Sequence, residues 1–403
     1  MASISRQSRN KTTKLFHTLN QFGIVAGLPN LWVTDIEMSR FFLSNVFSKL
    51  TKFMTIACWV FMFAEIGSLF TQKNISDKQR NDLLIFCTCH PLLYLCWWTV
   101  AHYKGKVKIV TECLWLSLKA KYNDLDVERK MLRKAKIFVT ASVASIYMTL
   151  TAYTIDGVIQ VLKGKSSSFT TIITAWPDID DTSGLANVGR AFTYVTWWIL
   201  VIRSSAATSI ISFTTICLSS QYIQLQSYFY KLDEIFTDEN LNQNEKEEKY
   251  EEALKDGIKM HSETLQCVQI VQDIYAPAYS SQIAINIIAL IMLLLQLVDI
   301  EWSLINAVSW GSFTMALLST TGIFMCSAGD ITIEAGLLPT AMYSSGWQNC
   351  YGASNGRVRR LLLVAMTQGQ QPVVLKAFKR VELSYQSFVS IVKSSYSVFS
   401  VLY

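Results

Sequence analysis

The chain has 403 residues, of which 51% are hydrophobic and only 16% charged, with a formal net charge of +6 and a positive mean hydropathy. That balance excludes an ordinary soluble enzyme and an acidic disordered chain, and it suits one polytopic membrane bundle with no appended soluble domain. The positive surplus requires no nucleic acid, because it gathers between apolar runs, where anionic lipid and the insertion machinery account for it.

Residues 1–20 are polar and basic without an apolar run, so no cleavable signal peptide is expected and the first span acts as signal anchor. Residues 22–35 are apolar but interrupted by Gly27, Leu28 and Pro29 and are too short to cross a bilayer. Two readings fit them: an interfacial or re-entrant segment with Trp32 at headgroup depth, or a short helix buried against the bundle.

Six long apolar runs follow, at 53–70, 83–101, 137–161, 191–218, 276–298 and 304–326, with a weaker seventh at 384–402. Each approaches the ~20 residues that carry a helix across a ~30 Å hydrocarbon core. Seven basic residues precede the first run, ten lie between the second and third, five in 220–275 and six in 328–380. The opposite loops hold Lys73, Lys78 and Arg80 in one and Lys163 and Lys165 in another, and 299–303 holds none. Basic residues near span ends resist translocation, so the amino terminus is placed in the cytoplasm and the carboxyl terminus outside. The fold class expected is all-α, a membrane helical bundle of seven spans.

That topology puts the Asn74 sequon (Asn74, Ile75, Ser76) in an outside loop and predicts glycosylation there, while the sequon at Asn10 stays cytoplasmic. The nine cysteines fall in spans or cytoplasmic stretches, so no extracellular disulfide is expected. Cys87 and Cys89 share an apolar helix without a second pair and read as packing residues, leaving no metal or other cofactor implied.

Between the fourth and fifth runs, Tyr222, Leu225, Phe229, Leu232 and Phe236 recur at steps of three and four. After a turn at 237–244, Tyr250, Leu254, Ile258, His261, Leu265 and Val268 do the same. Two amphipathic helices therefore extend into the cytoplasm, and their stripes need a partner in residues 328–380 or in another subunit, unless they form only a solvated hairpin.

Few charges lie at membrane depth: Glu65, Asp156, Arg203, Glu382 and Lys393. Glu65, Asp156 and Glu382 sit toward span ends, where snorkelling accounts for them, and Arg203 is deeper and expected to pair with another span or with backbone carbonyls. No chain of acidic residues or internal repeat marks a coupled transporter, and the scattered histidines 17, 90, 102 and 261 form no catalytic constellation. An enzyme is not expected.

The outer halves of spans two, three, four and six carry Phe86 and His90; Tyr147, Met148, Thr151 and Tyr153; Phe192, Tyr194, Trp197 and Trp198; and Trp302, Trp310 and Phe313. Such side chains suit a cavity for a small, mostly apolar molecule oriented by one or two hydrogen bonds, though aromatics also crowd membrane interfaces.

The carboxyl-terminal part is the most specific. It holds a Tyr-Ser-Ser-Gly-Trp element at 343–347, the pair Gln371 and Pro372, and a final helix with Phe388 and Ser395, Tyr396 and Ser397 leading to Leu402. With the inverted seven-span topology these resemble the insect odorant receptor family. The resemblance implies a heterotetrameric, ligand-gated, non-selective cation channel, in which the last helix lines the pore and cytoplasmic helices anchor the subunits. It divides the chain into a cytoplasmic arm (1–52), a ligand-binding bundle (53–218), a helical extension (219–275), spans five and six (276–326), an anchor helix (327–380) and the pore helix (381–403).

On that reading Ser394, Ser397, Val398, Val401 and Leu402 are expected at the pore and gate, the valines and leucine forming an apolar constriction that gates by dewetting. Core packing explains each of those apolar residues equally well. Lys393 would repel cations and is expected to face a neighbouring helix or lipid headgroups, or to belong to a subunit whose partners dominate selectivity. The compact loop between spans four and five implies a tuning subunit that binds a volatile odorant and needs the family's co-receptor, in the plasma membrane of a sensory neuron. A gustatory-type receptor channel is the nearer alternative, but its usual terminal pattern is replaced here by Ser-Tyr-Ser. A G-protein-coupled receptor requires an outside amino terminus, an extracellular disulfide and the D-R-Y and N-P-x-x-Y elements, none of which this chain offers.

Overall fold

The computed structural model of the chain describes residues 11–32, 44–72, 75, 77–162, 178, 180–299 and 304–402. Asn10, Asn74 and Trp302 lie outside them, and of Leu402 only the backbone is described.

The helices in chain order are α1 (Lys11–Val25), α2 (Asn45–Thr71), α3 (Asp77–His102), α4 (Lys104–Glu112), α5 (Leu118–Lys121), α6 (Leu125–Leu162), α7 (Gly184–Lys231), α8 (Gln243–Asp299), α9 (Leu304–Tyr343), α10 (Asn355–Gly369) and α11 (Tyr385–Leu402). A two-residue antiparallel hairpin, β1 (Lys376–Ala377) against β2 (Val381–Glu382), precedes α11 and pairs Lys376 with Glu382 and Ala377 with Val381. Glu382 therefore stands in this hairpin and is exposed, outside the last helix in which the sequence suggested it.

Six helices, α2, α3, α6, α7, α8 and α9, are long and apolar enough to cross a membrane. The seventh span, α11, has 18 residues, roughly 27 Å at 1.5 Å per residue. By the same measure the 48, 57 and 40 residues of α7, α8 and α9 run to roughly 70, 85 and 60 Å. Those lengths exceed the ~30 Å core, so all three continue on the cytoplasmic side. Among them α7 forms the centre, buried almost without interruption from Arg203 to Leu225. Several of its Ser and Thr hydroxyls satisfy themselves, as when Ser209, Thr214 and Thr215 donate to the carbonyl four residues back, which lets small side chains pack closely.

In the cytoplasmic joint the stripe of Tyr222, Leu225, Phe229 and Leu232 is buried together with Tyr250 and Leu254. Helix α8 crosses α7 so closely at Gly257 that a Cβ there would lie 2.8 Å from the Phe229 ring and 2.9 Å from Tyr228. Residues 328–380 of the same chain complete the joint. The Tyr250 hydroxyl meets Ser345 Oγ at 2.5 Å, Arg357 pairs with Glu251 at 2.8 Å, and Glu247 accepts from the Tyr351 and Gly352 backbone N–H groups at 2.9 and 2.7 Å. Burial alone would raise the Glu247 carboxyl, but hydrogen bonds from Ser354, Gln243 and those backbone groups hold it down to about 2.

The arm departs from its polar composition. Residues from Lys11 are helical because Thr12 caps itself on Glu128, with both its N–H and hydroxyl donating to Oε1, and Lys119 reaches the same carboxyl at 2.8 Å. Phe16, fully buried, packs on Trp115 with ring centroids 4.1 Å apart, and Trp32 packs on both. The chain turns at Gly27 (φ 82°) into buried Leu28 and Leu31, the buried alternative for this stretch.

Candidate ligand-binding cavity

Five spanning helices enclose a cavity of about 90 Å³. Its wall comprises Phe86, Cys89, His90 and Leu93 of α3; Ile146, Thr149 and Leu150 of α6; Trp197, Val201, Ser204, Ser205 and Thr208 of α7; Gln282 and Ile285 of α8; and Phe313, Ala316, Leu317 and Thr320 of α9. Phe86, Phe313, His90 and Trp197 form the outer end. Ser204 and Thr208 lie deeper, near the middle of their span, and Gln282 and Thr320 lie deeper still, toward the cytoplasmic ends of the runs 276–298 and 304–326. One water needs ~15 Å³ on this kind of measure, so the space admits a small organic molecule.

The aromatic end is held rigid by a buried polar relay. Glu65, fully buried, accepts from His90 Nδ1–H at 2.8 and 2.9 Å, and His90 Nε2 accepts from Trp197 Nε1–H at 3.1 Å. The tryptophan can only donate, so Nε2 carries the lone pair and the ring proton is on Nδ1. Phe86 stacks on His90 with ring centroids 5.2 Å apart, and Tyr153 meets both Phe86 and Phe313 edge-on. Snorkelling therefore does not account for Glu65: it points inward because His90 offers the hydrogen bond that lipid lacks. Asp156 is likewise buried. Arg203 pairs with the first span, its Nη1 donating to Thr55 Oγ1 at 2.9 Å and Nη2 to the Thr51 carbonyl at 3.0 Å, with the guanidinium 4.8 Å from the Trp97 ring centroid.

Of the aromatic and polar residues singled out in the sequence, the structure brings Phe86, His90, Trp197 and Phe313 to the cavity wall. Tyr153 stands behind Phe86, and Tyr194 packs on Trp197 while sharing a hydrogen bond with Thr154 at 2.5 Å. Trp310 donates to the Leu293 carbonyl at 2.9 Å, beside the wall. Tyr147 and Trp198 are half-buried away from it. Met148 and Thr151 are exposed, and the Thr151 hydroxyl turns back to the carbonyls of Tyr147 and Met148. These two lie on the exposed side of α6, turned away from Ile146 and Thr149. The deep polar residues Ser204, Thr208, Gln282 and Thr320 were not foreseen; the run of small polar residues after Arg203 was a sign of the first two alone.

The last helix packs on the bundle through Phe388, Ile391, Ser395 and Phe399, one stripe at steps of three and four. Gly322 and Gly329 of α9 make room for it, facing the Phe388 ring and Tyr385. The Tyr385 hydroxyl donates to Asp330 of α9 at 2.6 Å, and Lys134 of α6 pairs with the same carboxylate. Ser394, Ser397, Val398 and Val401 are exposed, and so is Lys393, which shares the face of Ser397 and Val401.

These features define a membrane-embedded helical bundle with a ligand-sized cavity of mostly apolar lining. Residues 85–396 match the family described as 7tm Odorant receptor, and the chain belongs to that family. It superposes on the insect olfactory receptor OR5 from Machilis hrabei in complex with eugenol, with a TM-score of 0.80 over 97% of this chain and 98% of that one at 13% identity. A second OR5 structure from Machilis hrabei gives 0.78, again at 13% identity, over 97% of each chain. No curated protein matches the chain.

Proposed function

We propose that the chain is the odorant-binding subunit of a heteromeric, ligand-gated, non-selective cation channel of the plasma membrane, formed with the family's co-receptor. The observation that carries this reading is the position of α9. It contributes Phe313, Ala316, Leu317 and Thr320 to the cavity, and two residues farther on, at Gly322, it meets Phe388 of α11. A ligand that shifts α9 therefore shifts the helix proposed to line the pore. The cavity's apolar lining suits a small volatile ligand, and the OR5 structure in complex with eugenol shows a similar fold holding a small molecule. The exposed face of α11, with Ser394, Ser397, Val398 and Val401, is the surface that neighbouring subunits and the conduction path would meet.

Whole-cell recording tests this. Cells expressing the chain with an insect odorant co-receptor, challenged with volatile esters, alcohols, aldehydes and aromatics, should pass a rapid inward cation current that persists under G-protein block. A current from this chain alone would overturn the obligate partnership, and a current abolished by G-protein block would overturn the channel reading.

A further inference from the structure

The cavity's polar groups divide into those already engaged and those that are not. At the aromatic end His90 and Trp197 satisfy each other, with Glu65 behind. On the flanks Thr149 donates to the Ser145 and Ser312 carbonyls, and Ser205 donates to the Ile202 carbonyl. A ligand gains nothing from these without breaking an existing bond.

Deeper in, the pattern reverses. The hydroxyls of Ser204, Thr208 and Thr320 line the cavity at 3%, 3% and 5% exposure and hydrogen-bond to nothing among the described residues. Gln282, also 3% exposed, donates through Nε2 to Thr321 Oγ1 at 3.1 Å, and its Oε1 accepts from nothing among the described residues. Ser204 and Thr208 are four residues apart and so share one face of α7, while Thr320 and Gln282 approach from α9 and α8. Unpaired polar groups in a lipid-embedded core are unfavourable, and Ser or Thr in a membrane helix ordinarily turns back to its own carbonyls, as Thr214 and Thr215 do.

We infer that this deep polar end recognises a hydroxyl group, so that the preferred ligand is a small, otherwise apolar alcohol or phenol. A hydroxyl donates to Gln282 Oε1 and accepts from the threonine and serine hydroxyls at once. An ester, ketone, aldehyde or ether oxygen only accepts and leaves Gln282 Oε1 unpaired, and a hydrocarbon leaves every one of these groups unpaired. The hydrocarbon part of the ligand then extends toward Phe86, Phe313 and Trp197, which offer only ring surface. The inference rests on the cavity being the ligand site.

The test uses full-length chain and co-receptor with matched probe sets: hexanol, its methyl ether, hexanal and hexane, and phenethyl alcohol with its methyl ether, aldehyde and hydrocarbon. The alcohol should open the channel at concentrations about tenfold or more below those of its methyl ether and aldehyde. Gln282→Leu should erase that advantage, because it removes the acceptor that only a hydroxyl can use, whereas Thr208→Val with Thr320→Val should weaken alcohol and ether alike; surface labelling of both subunits reports that each variant folds. Equal potency of alcohol and ether in the native chain, or an alcohol advantage that survives Gln282→Leu, would overturn the inference alone. Silence to every probe with both subunits at the surface would instead remove the cavity as the ligand site, and this inference with it.

Discussion

Removal of the Glu65 carboxyl should destabilise the aromatic end of the cavity. Glu65 is fully buried, and the only partner of its carboxylate among the described residues is His90 Nδ1–H at 2.8 and 2.9 Å, which in turn orients the imidazole toward Trp197. In Glu65→Ala the imidazole N–H is left without an acceptor in a site that water cannot refill, at a cost of ~1–3 kcal/mol. The vacated volume adds to the loss, while relief from burying a carboxyl offsets part of it. Glu65→Gln keeps an acceptor oxygen of nearly the same shape, so it should lose only ~0.5–1.5 kcal/mol. The expected order of thermal stability in detergent is therefore native, then Gln, then Ala, with the Ala variant melting a few degrees low. Binding should follow the same order, because His90 and Trp197 both line the cavity. An Ala variant as stable as the native chain, or more stable than Gln, would show that the buried carboxyl is a net liability and that the relay does not hold the wall.

Gly257→Val should lower surface expression and melting temperature, costing ~1–3 kcal/mol by overpacking, because even a Cβ there falls 2.8 Å from the Phe229 ring; wild-type melting would refute the close crossing. Glu247, held at about 2 against an ordinary 4.5, contributes stability that is complete above pH 4.5 and disappears as pH falls toward 2, at most ~3 kcal/mol. Melting measured against pH should decline over that window, and Glu247→Gln should flatten the decline. His261, pushed down to about 4 from 6.5 by burial, should add a second loss as pH falls from 6.5 toward 4, which His261→Asn should remove. Under the proposed function, with Lys393 on the exposed face of α11 beside Ser397 and Val401, Lys393→Gln should raise calcium permeability relative to sodium, seen as a positive shift of reversal potential in calcium-rich medium. An unmoved reversal potential would place the ammonium group away from the ions.

How far the fold was legible depended on whether a feature was local in sequence. Span number and orientation follow from run length and from the position of Lys and Arg, both countable without knowing any contact. The stripes Tyr222 to Leu232 and Tyr250 to Val268 were equally visible, since a helix face is a local periodicity. The Glu65 and His90 pair was not, because 25 residues and a loop separate two side chains that meet only when α2 packs on α3. Thr12 and Glu128, 116 residues apart, conceal the helical start of the arm in the same way. At the cavity, depth in the membrane was legible but rotation about the helix axis was not. Met148 and Thr151 share the turns of α6 that carry Ile146 and Thr149 but are exposed, and nothing in the sequence separates Ser204, Thr208 and Thr320 from self-bonded hydroxyls.

The same geometry constrains how binding could reach a gate. A cavity of about 90 Å³ leaves little slack, so a ligand larger than a few heavy atoms must displace wall residues. The wall is not uniformly stiff. On the α3 and α7 side, Glu65, His90, Trp197 and Phe86 are interlocked by hydrogen bonds and stacking. On the α9 side, Phe313, Ala316 and Leu317 present apolar side chains, single hydrogen bonds tie the helix to Thr149 and Gln282, and the Thr320 hydroxyl has no partner among the described residues. Displacement should therefore fall on α9, the element that touches α11 at Gly322 and Gly329 and shares Asp330 with Tyr385. A ligand shifts a conformational equilibrium only by its difference in affinity between the two states. Under the proposed function that difference arises where α9 moves, so filling the glycine notch should separate binding from opening. Gly322→Ala places a Cβ 3.4 Å from the Phe388 ring, an ordinary contact that the fold accepts, and should alter the fraction of channels opened at saturating ligand while leaving binding affinity nearly unchanged. Equal changes in both, measured by radioligand displacement beside current, would locate the coupling elsewhere.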